Sequence, residues 1–149
     1  MTRLAVVPSC VLACLAVLLP MLAVAQASPL IVQNAWMRKA PGADTAAVYL
    51  VLKNTSIEPV IVIGVRSSVA SHVMVHQTSN AGRVSRMRKH EHLVVPPGKS
   101  VAFEPGGMHV MLSGFKKSPI IGQTVPLVLL LANGGHVEVA AIVRPLDAQ

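Results

Sequence analysis

Cysteine is nearly absent: Cys10 and Cys14 are the only two among 149 residues, and both lie near the amino terminus. They fall inside "LAVVPSCVLACLAVLLPMLAVA", Leu4 to Ala25, an uncharged apolar run that follows Arg3 and ends in Ala23-Val24-Ala25, a small-x-small pattern that signal peptidase accepts. Residues 1–25 therefore read as a secretory signal, and residues 26–149 as one exported domain with neither thiol nor disulfide. Two metal chemistries are thereby excluded from the mature domain: type 1 copper, which needs a cysteine, and covalent c-type haem, which needs Cys-x-x-Cys-His. The apolar run is long enough to span a bilayer if retained, but Pro20 and the small residues after it favour cleavage. Acylation of Cys14 in "VLAC" would instead give a lipoprotein. Against that reading, the run stays apolar to Ala25, where a mature lipoprotein usually turns polar.

Aromatic residues are scarce, with one Trp, one Tyr and two Phe, and acidic residues number six against thirteen Lys and Arg, for a net charge of +7. So basic a chain could suit nucleic acid. The export signal and the lack of rings to stack on bases point instead to an acidic protein face or a membrane surface. No nucleophile with a neighbouring base, no carboxylate pair and no cofactor loop stands out, which argues against an enzyme. A sustained 3.6-residue apolar period is missing as well. What the mature chain does contain is a series of short Val-, Ile- and Leu-rich runs, from "IVQNAWM" and "AAVYLVLKN" to "VPLVLLLA" and "HVEVAAIV", separated by "APGAD", "SNAG", "PPGK", "PGG" and "ANGG". This predicts an all-β antiparallel sandwich or barrel of roughly seven to ten strands, with Greek-key connections. Nothing in the sequence calls for a second copy, and a monomer is expected.

Histidine and methionine carry the chemistry. In "SHVMVH", period two puts His72, Met74 and His76 on one face of a strand and Val73 and Val75 on the other. A tight turn at Ala81-Gly82 would pair Asn80 with Arg83, Thr78 with Ser85 and His76 with Met87. Further on, His109 and Met111 of "GGMHVML" are two apart and share a face. If their strand lies near the hairpin, two imidazoles and two thioethers surround one ion. Neutral, soft donors of this kind suit Cu(I), whereas zinc takes thiolate, imidazole or carboxylate and hard ions take oxygen.

The spacing of His76, Met87, His109 and Met111 resembles the His-x10-Met-x21-His-x-Met signature of the periplasmic Cu(I) chaperones called PCu(A)C. The segments "NAWMRKAPGADTAAVYLVLKN", "PPGKSVAFEPGGMHVML" and "GQTVPLVLLLANGGHVEVAAIVRP" are similar to the family's opening, central and closing stretches. The resemblance implies a cupredoxin-like β-sandwich. It also implies that the protein is periplasmic, binds one Cu(I) through these four residues, and delivers it to a copper-accepting domain of cytochrome c oxidase or to its assembly factors. A storage or resistance protein without a dedicated acceptor is the alternative. Some members carry a Met/His-rich tail; this chain ends in "RPLDAQ", so no second, tail-borne site is carried over.

Other residues have plainer roles. His72 and Met74 share the face of His76 and are candidates for outer neighbours of the site. Met108 points the other way and reads as core filler, and Trp36 and Tyr49 are expected to pack in the core. His90 and His92 in "KHEHL" read as a solvated strand end, and His136 has no evident partner. Arg83, Arg86, Arg88 and Lys89 surround Met87, and Lys116 and Lys117 follow the second ligand strand. Such a run is either a solvated face or a guide for docking an acidic partner.

Overall fold

A computed structural model describes residues 28–147 apart from 82–83. The expected signal peptide, with Cys10 and Cys14, lies outside the described residues. Ten strands account for most of the remainder: β1 (Leu30–Lys39), β2 (Thr45–Asn54), β3 (Val60–Arg66), β4 (Ala70–Ala81), β5 (Val84–Lys89), β6 (Leu93–Val95), β7 (Ser100–Phe103), β8 (Met108–Phe115), β9 (Thr124–Leu131) and β10 (His136–Arg144). Among the described residues there is no helix.

The strands form because their alternate residues share one core. In β9 the inward set is Val125, Leu127, Leu129 and Leu131, and in β10 it is Val137, Val139, Ala141 and Val143, all buried. Across from them lie Val48, Leu50 and Leu52 of β2, Val110 and Leu112 of β8, and Val75 of β4. Hydrogen-bonded neighbours run β5-β4-β8-β2-β1-β10-β9-β3-β6, with β7 also paired to β2. Only β1–β2, β4–β5 and β9–β10 in this series are hairpins. The other neighbours are reached by crossovers of the Greek-key kind. One ladder departs from the antiparallel expectation: β1 and β10 run parallel, with Trp36 opposite Ile142 and Arg38 opposite Arg144. The first and last strands are joined only through the whole chain between them, so no hairpin dictates their relative direction.

A bulge in β1 decides which face its second half presents. Gln33 pairs with Val51, but Trp36 pairs with Tyr49, so β1 carries one extra residue. Asn34 takes it up with φ of 52°, in the left-handed region that asparagine tolerates better than most residues. Before the bulge Leu30 faces the core; after it Met37 does, fully buried, and Trp36 turns to the opposite face. The expectation that Trp36 and Tyr49 pack in the main core is thus corrected. Both are buried, but outside the core cluster and against each other, with ring centroids 4.8 Å apart. Met108 does pack against the core, as expected.

Candidate metal site on the outer face of the larger layer

The outer face of β1, β2, β8, β4 and β5 is organised in rows that cross the strands. One row runs Ile142, Trp36, Tyr49, His109, His76 and Lys89. The next runs Arg144, Arg38, Ala47, Met111 and Met74. On the other side of the histidines, Met87 faces Thr78. His76 and His109 are therefore direct cross-strand partners, their rings 5.9 Å apart and at 90°. Met111 and Met87 flank them from opposite sides.

Two small residues leave room for side chains to converge. Ala47 fills its row between Arg38 and Met111 with a single methyl. Gly107 stands beside Thr78, whose N–H donates to the Gly107 carbonyl at 3.1 Å. The turn before β8 uses Gly106 at φ of 80°, a conformation closed to most side chains. The result is a cleft of about 350 Å³ lined by Arg38, Ala47, Tyr49, Met87, His109 and Met111, among others.

The two imidazoles are held differently. His109 is buried, with 7% of its surface exposed, and its Nδ1 lies 3.2 Å from the Gly107 carbonyl. A carbonyl only accepts, so Nδ1 carries the proton and the Nε2 lone pair is left for another partner. The Tyr49 ring lies 6.4 Å from His109 on its other side, and Arg38 donates from Nη2 to the Tyr49 hydroxyl at 2.8 Å. His76 has a buried Nδ1 with no hydrogen-bond partner among the described residues. Its pKa is lowered, first by burial and then by the nearby His109. The neutral imidazole, which is the form that binds metal, is therefore favoured at His76.

The four residues singled out by spacing thus lie on one face, but not in the pairing expected. His76 sits opposite Lys89, and Met87 opposite Thr78. Ala81 pairs with Val84, so β4 runs one residue further than a turn at Ala81-Gly82 allows, each residue's partner shifts by two, and the connection falls at residues 82–83, outside the described residues. Alanine resists the positive φ that such a turn needs and stays in the strand. The displacement is two residues, one side-chain period, so Met87 keeps its face. Met74 lies opposite Met111 but lines a second cleft with Val73, Lys89 and His90, and His72 is exposed beside Ser113. His92 and His136 are exposed, and Arg86, Arg88, Lys116 and Lys117 lie in solvent. Among the described residues no three His, Cys, Asp or Glu side chains converge, so a metal here would need the thioethers. Arg38 and Ala47 escaped notice in the sequence. Arg38 could have been found from its distance of two residues from Trp36; Ala47 gave no signal.

Residues 30–143 match the family described as "Putative lipoprotein LpqE-like". A relative from Leifsonia xyli subsp. xyli, named "Putative lipoprotein Lxx21020", is 32% identical over 120 residues, which span 80% of this chain and 72% of that protein. The copper-bound PCuAC domain from PmoF2 superimposes with a TM-score of 0.67 at 24% identity, covering 79% of this chain and 94% of that one. The solution structure of CuI-DR1885 from Deinococcus radiodurans does so with a TM-score of 0.64 at 31% identity, covering 80% of this chain and 81% of that one. The fold is the cupredoxin-like β-sandwich of the PCuAC domains. The chain belongs to the LpqE-like family within that class.

Proposed function

We propose that the domain binds one Cu(I) through His76, Met87, His109 and Met111 and carries it to a copper-accepting protein. The observation that supports this most directly is the His76–His109 pair: two adjacent imidazoles, one with a buried, unpartnered Nδ1 and a pKa held below the usual histidine value, the other with its tautomer fixed by Gly107. Methionines stand on both sides of the pair, and among the described residues no carboxylate lines the cleft. A neutral N and S donor set of this kind fits a singly charged soft ion. The two solved relatives named above as copper-bound and Cu(I)-bound point the same way.

Carriage is favoured over storage by Met87, which is 54% exposed on an edge strand and so can be exchanged for a ligand of the acceptor. The resemblance in sequence makes the copper centres of cytochrome c oxidase, or their assembly factors, the proposed destination. With residues 1–25 read as a secretory signal, the periplasm is the proposed location of the domain. The lipoprotein descriptions of the family and of the Leifsonia relative favour retention at the membrane through Cys14 as a second reading of that segment.

X-ray absorption of the Cu(I)-loaded protein should show mixed nitrogen and sulfur scattering, and loss of sulfur scattering in Met87→Leu and Met111→Leu. An all-nitrogen or all-oxygen shell would refute the ligand set. Transfer of Cu(I) to an apo oxidase copper domain should be faster than release to solvent; equal rates would leave a storage protein.

A further inference from the structure

Strand β5 lies at the end of the sheet order, so one of its sides has no partner strand among the described residues. Which of its backbone groups point outward follows from two hydrogen bonds. The His90 N–H donates to the Val75 carbonyl at 2.8 Å, and the Thr78 N–H donates away from β5, to Gly107. Antiparallel ladders alternate bonded and non-bonded pairs. Gln77–Arg88 and Ser79–Arg86 are therefore the bonded pairs, and Ser85, Met87 and Lys89 turn their N–H and C=O groups outward. Met87 thus presents a proposed copper ligand and an open pair of backbone hydrogen-bonding groups at the same point.

The charges on this edge select its occupant. Arg86 and Arg88 flank Met87, both are exposed, and among the described residues the one ion pair on this strand joins Lys89 to Glu91 at 3.4 Å. Basic side chains commonly protect an edge from pairing with its own kind. A second copy laid antiparallel about Met87 would set Arg86 against Arg88, like charge directly opposite like charge. An acidic strand meets no such bar. A lipid surface could satisfy the charges but not the ordered row of N–H and C=O groups.

We propose that the acceptor docks by adding an acidic extended segment to β5, in the pattern acid, soft donor, acid, with the two acids against Arg86 and Arg88 and the donor beside Met87. This rests on the reading of Met87 as a ligand. Directly opposed residues bring their Cβ atoms to about 5 Å, near enough for one soft ligand to replace another on a shared ion. In that exchange the Cu–S bond to Met87 breaks as a bond to the incoming donor forms. Copper stays Cu(I), and no electron or proton is needed.

The probe is the synthetic peptide Thr-Val-Glu-Met-Glu-Val-Thr, blocked at both ends, titrated into the Cu(I)-loaded protein. Ser85→Pro removes an outward N–H while sparing the β4 ladder, the basic charges and the four proposed ligands. It should weaken peptide binding at least tenfold with Cu(I) affinity unchanged. Arg86→Glu with Arg88→Glu should weaken it at least as much, and a peptide N-methylated on alternate backbone nitrogens should bind the parent protein at least tenfold more weakly than the plain one. The N-methylated peptide decides the matter even if Ser85→Pro folds poorly. Equal binding of plain and N-methylated peptides would overturn edge pairing. So would failure to bind the peptide combined with tight, Ser85→Pro-insensitive binding to phosphatidylglycerol vesicles, which would assign the patch to the membrane. Cu(I) affinity is measured separately by competition with bicinchoninate. A parent that takes up no Cu(I) would sink the proposed function, whereas the peptide titration alone judges the edge.

Discussion

Two buried polar groups in this domain, the Asn54 amide and one ring nitrogen of His76, are treated in opposite ways. Asn54, at the end of β2, is completely buried, and its amide is used at both ends: Nδ2 donates to the carbonyls of Glu58 and Val95, at 2.7 and 2.9 Å, and Oδ1 accepts from the N–H and hydroxyl of Ser56, at 2.9 and 2.8 Å. His76, on the other face of the same layer, leaves its buried Nδ1 without a partner among the described residues. A buried polar atom that is satisfied holds a fold together; one that is not costs stability and is kept where a ligand completes it. The contrast sets Asn54 apart as structural and supports the histidine pair as the proposed binding place.

Removing each group should expose the difference. Asn54→Ala deletes four hydrogen bonds from the interior and should cost about 3 kcal/mol in chemical denaturation, with Cu(I) affinity per folded molecule unchanged. His76→Leu should do the reverse: apo stability within about 1 kcal/mol of the parent, or higher because an unpaired buried nitrogen is gone, and Cu(I) affinity lower by more than about 100-fold. If His76→Leu destabilised the apo protein as much as Asn54→Ala, the distinction would collapse.

Met111→Leu tests the same division with less force. The volumes are close, so the apo fold should lose less than about 1.5 kcal/mol. Cu(I) should bind about tenfold more weakly, and copper should raise the unfolding temperature of the variant by less than that of the parent. Should Cu(I) bind the variant as tightly as the parent, the His109-x-Met111 half of the set is wrong. Tyr49→Phe loses the Arg38 hydrogen bond but keeps the ring beside His109, and should change both stability and Cu(I) affinity by about 1 kcal/mol or less.

The smallest effect is in pH. Burial, and then the nearness of His109, lowers the His76 pKa in the folded protein below its unfolded value of about 6.5. Between those two values the unfolded chain binds more protons than the folded one, so apo stability is full above about pH 6.5 and falls as pH drops through that window. The His76 contribution should disappear in His76→Leu, giving a flatter stability curve on the acid side. A His76 resonance titrating above pH 6.5 in the folded apo protein would reverse the sign and remove the argument for a neutral imidazole.

The strands were legible in the sequence because short β-branched runs alternated with turn residues, and the parity of His72, Met74 and His76 or of His109 and Met111 needed nothing beyond period two. The spacing of the four candidate residues was legible too, and the structure brings them to one face. Register was not: placing the β4–β5 turn one residue early shifts every partner by two, and parity cannot detect this because a shift of two preserves every face. Nor was the outward turn of Tyr49, because "AAVYLVL" is apolar at odd and even positions alike, and only the neighbouring layers decide which set goes inward. The parallel pairing of β1 with β10 joins opposite ends of the chain, and no local pattern encodes it.

The extra residue in β1 acts on the sheet as a frameshift acts on a message. Upstream of Asn34 even-numbered residues are read into the core; downstream odd-numbered ones are, beginning with Ala35. Were β1 to alternate without this bulge while keeping every residue, Trp36 and Arg38 would turn inward and Met37 out, which would dismantle the aromatic and cationic wall behind His109 and bring a guanidinium among valines and leucines. Strand β1 pairs with none of the strands that carry the candidate ligands, yet its bulge lets Trp36 and Arg38 share their face. Deleting Asn34 would leave a single residue between the Gln33–Val51 and Trp36–Tyr49 pairs, opposite Leu50, and so would remove the bulge yet keep every face.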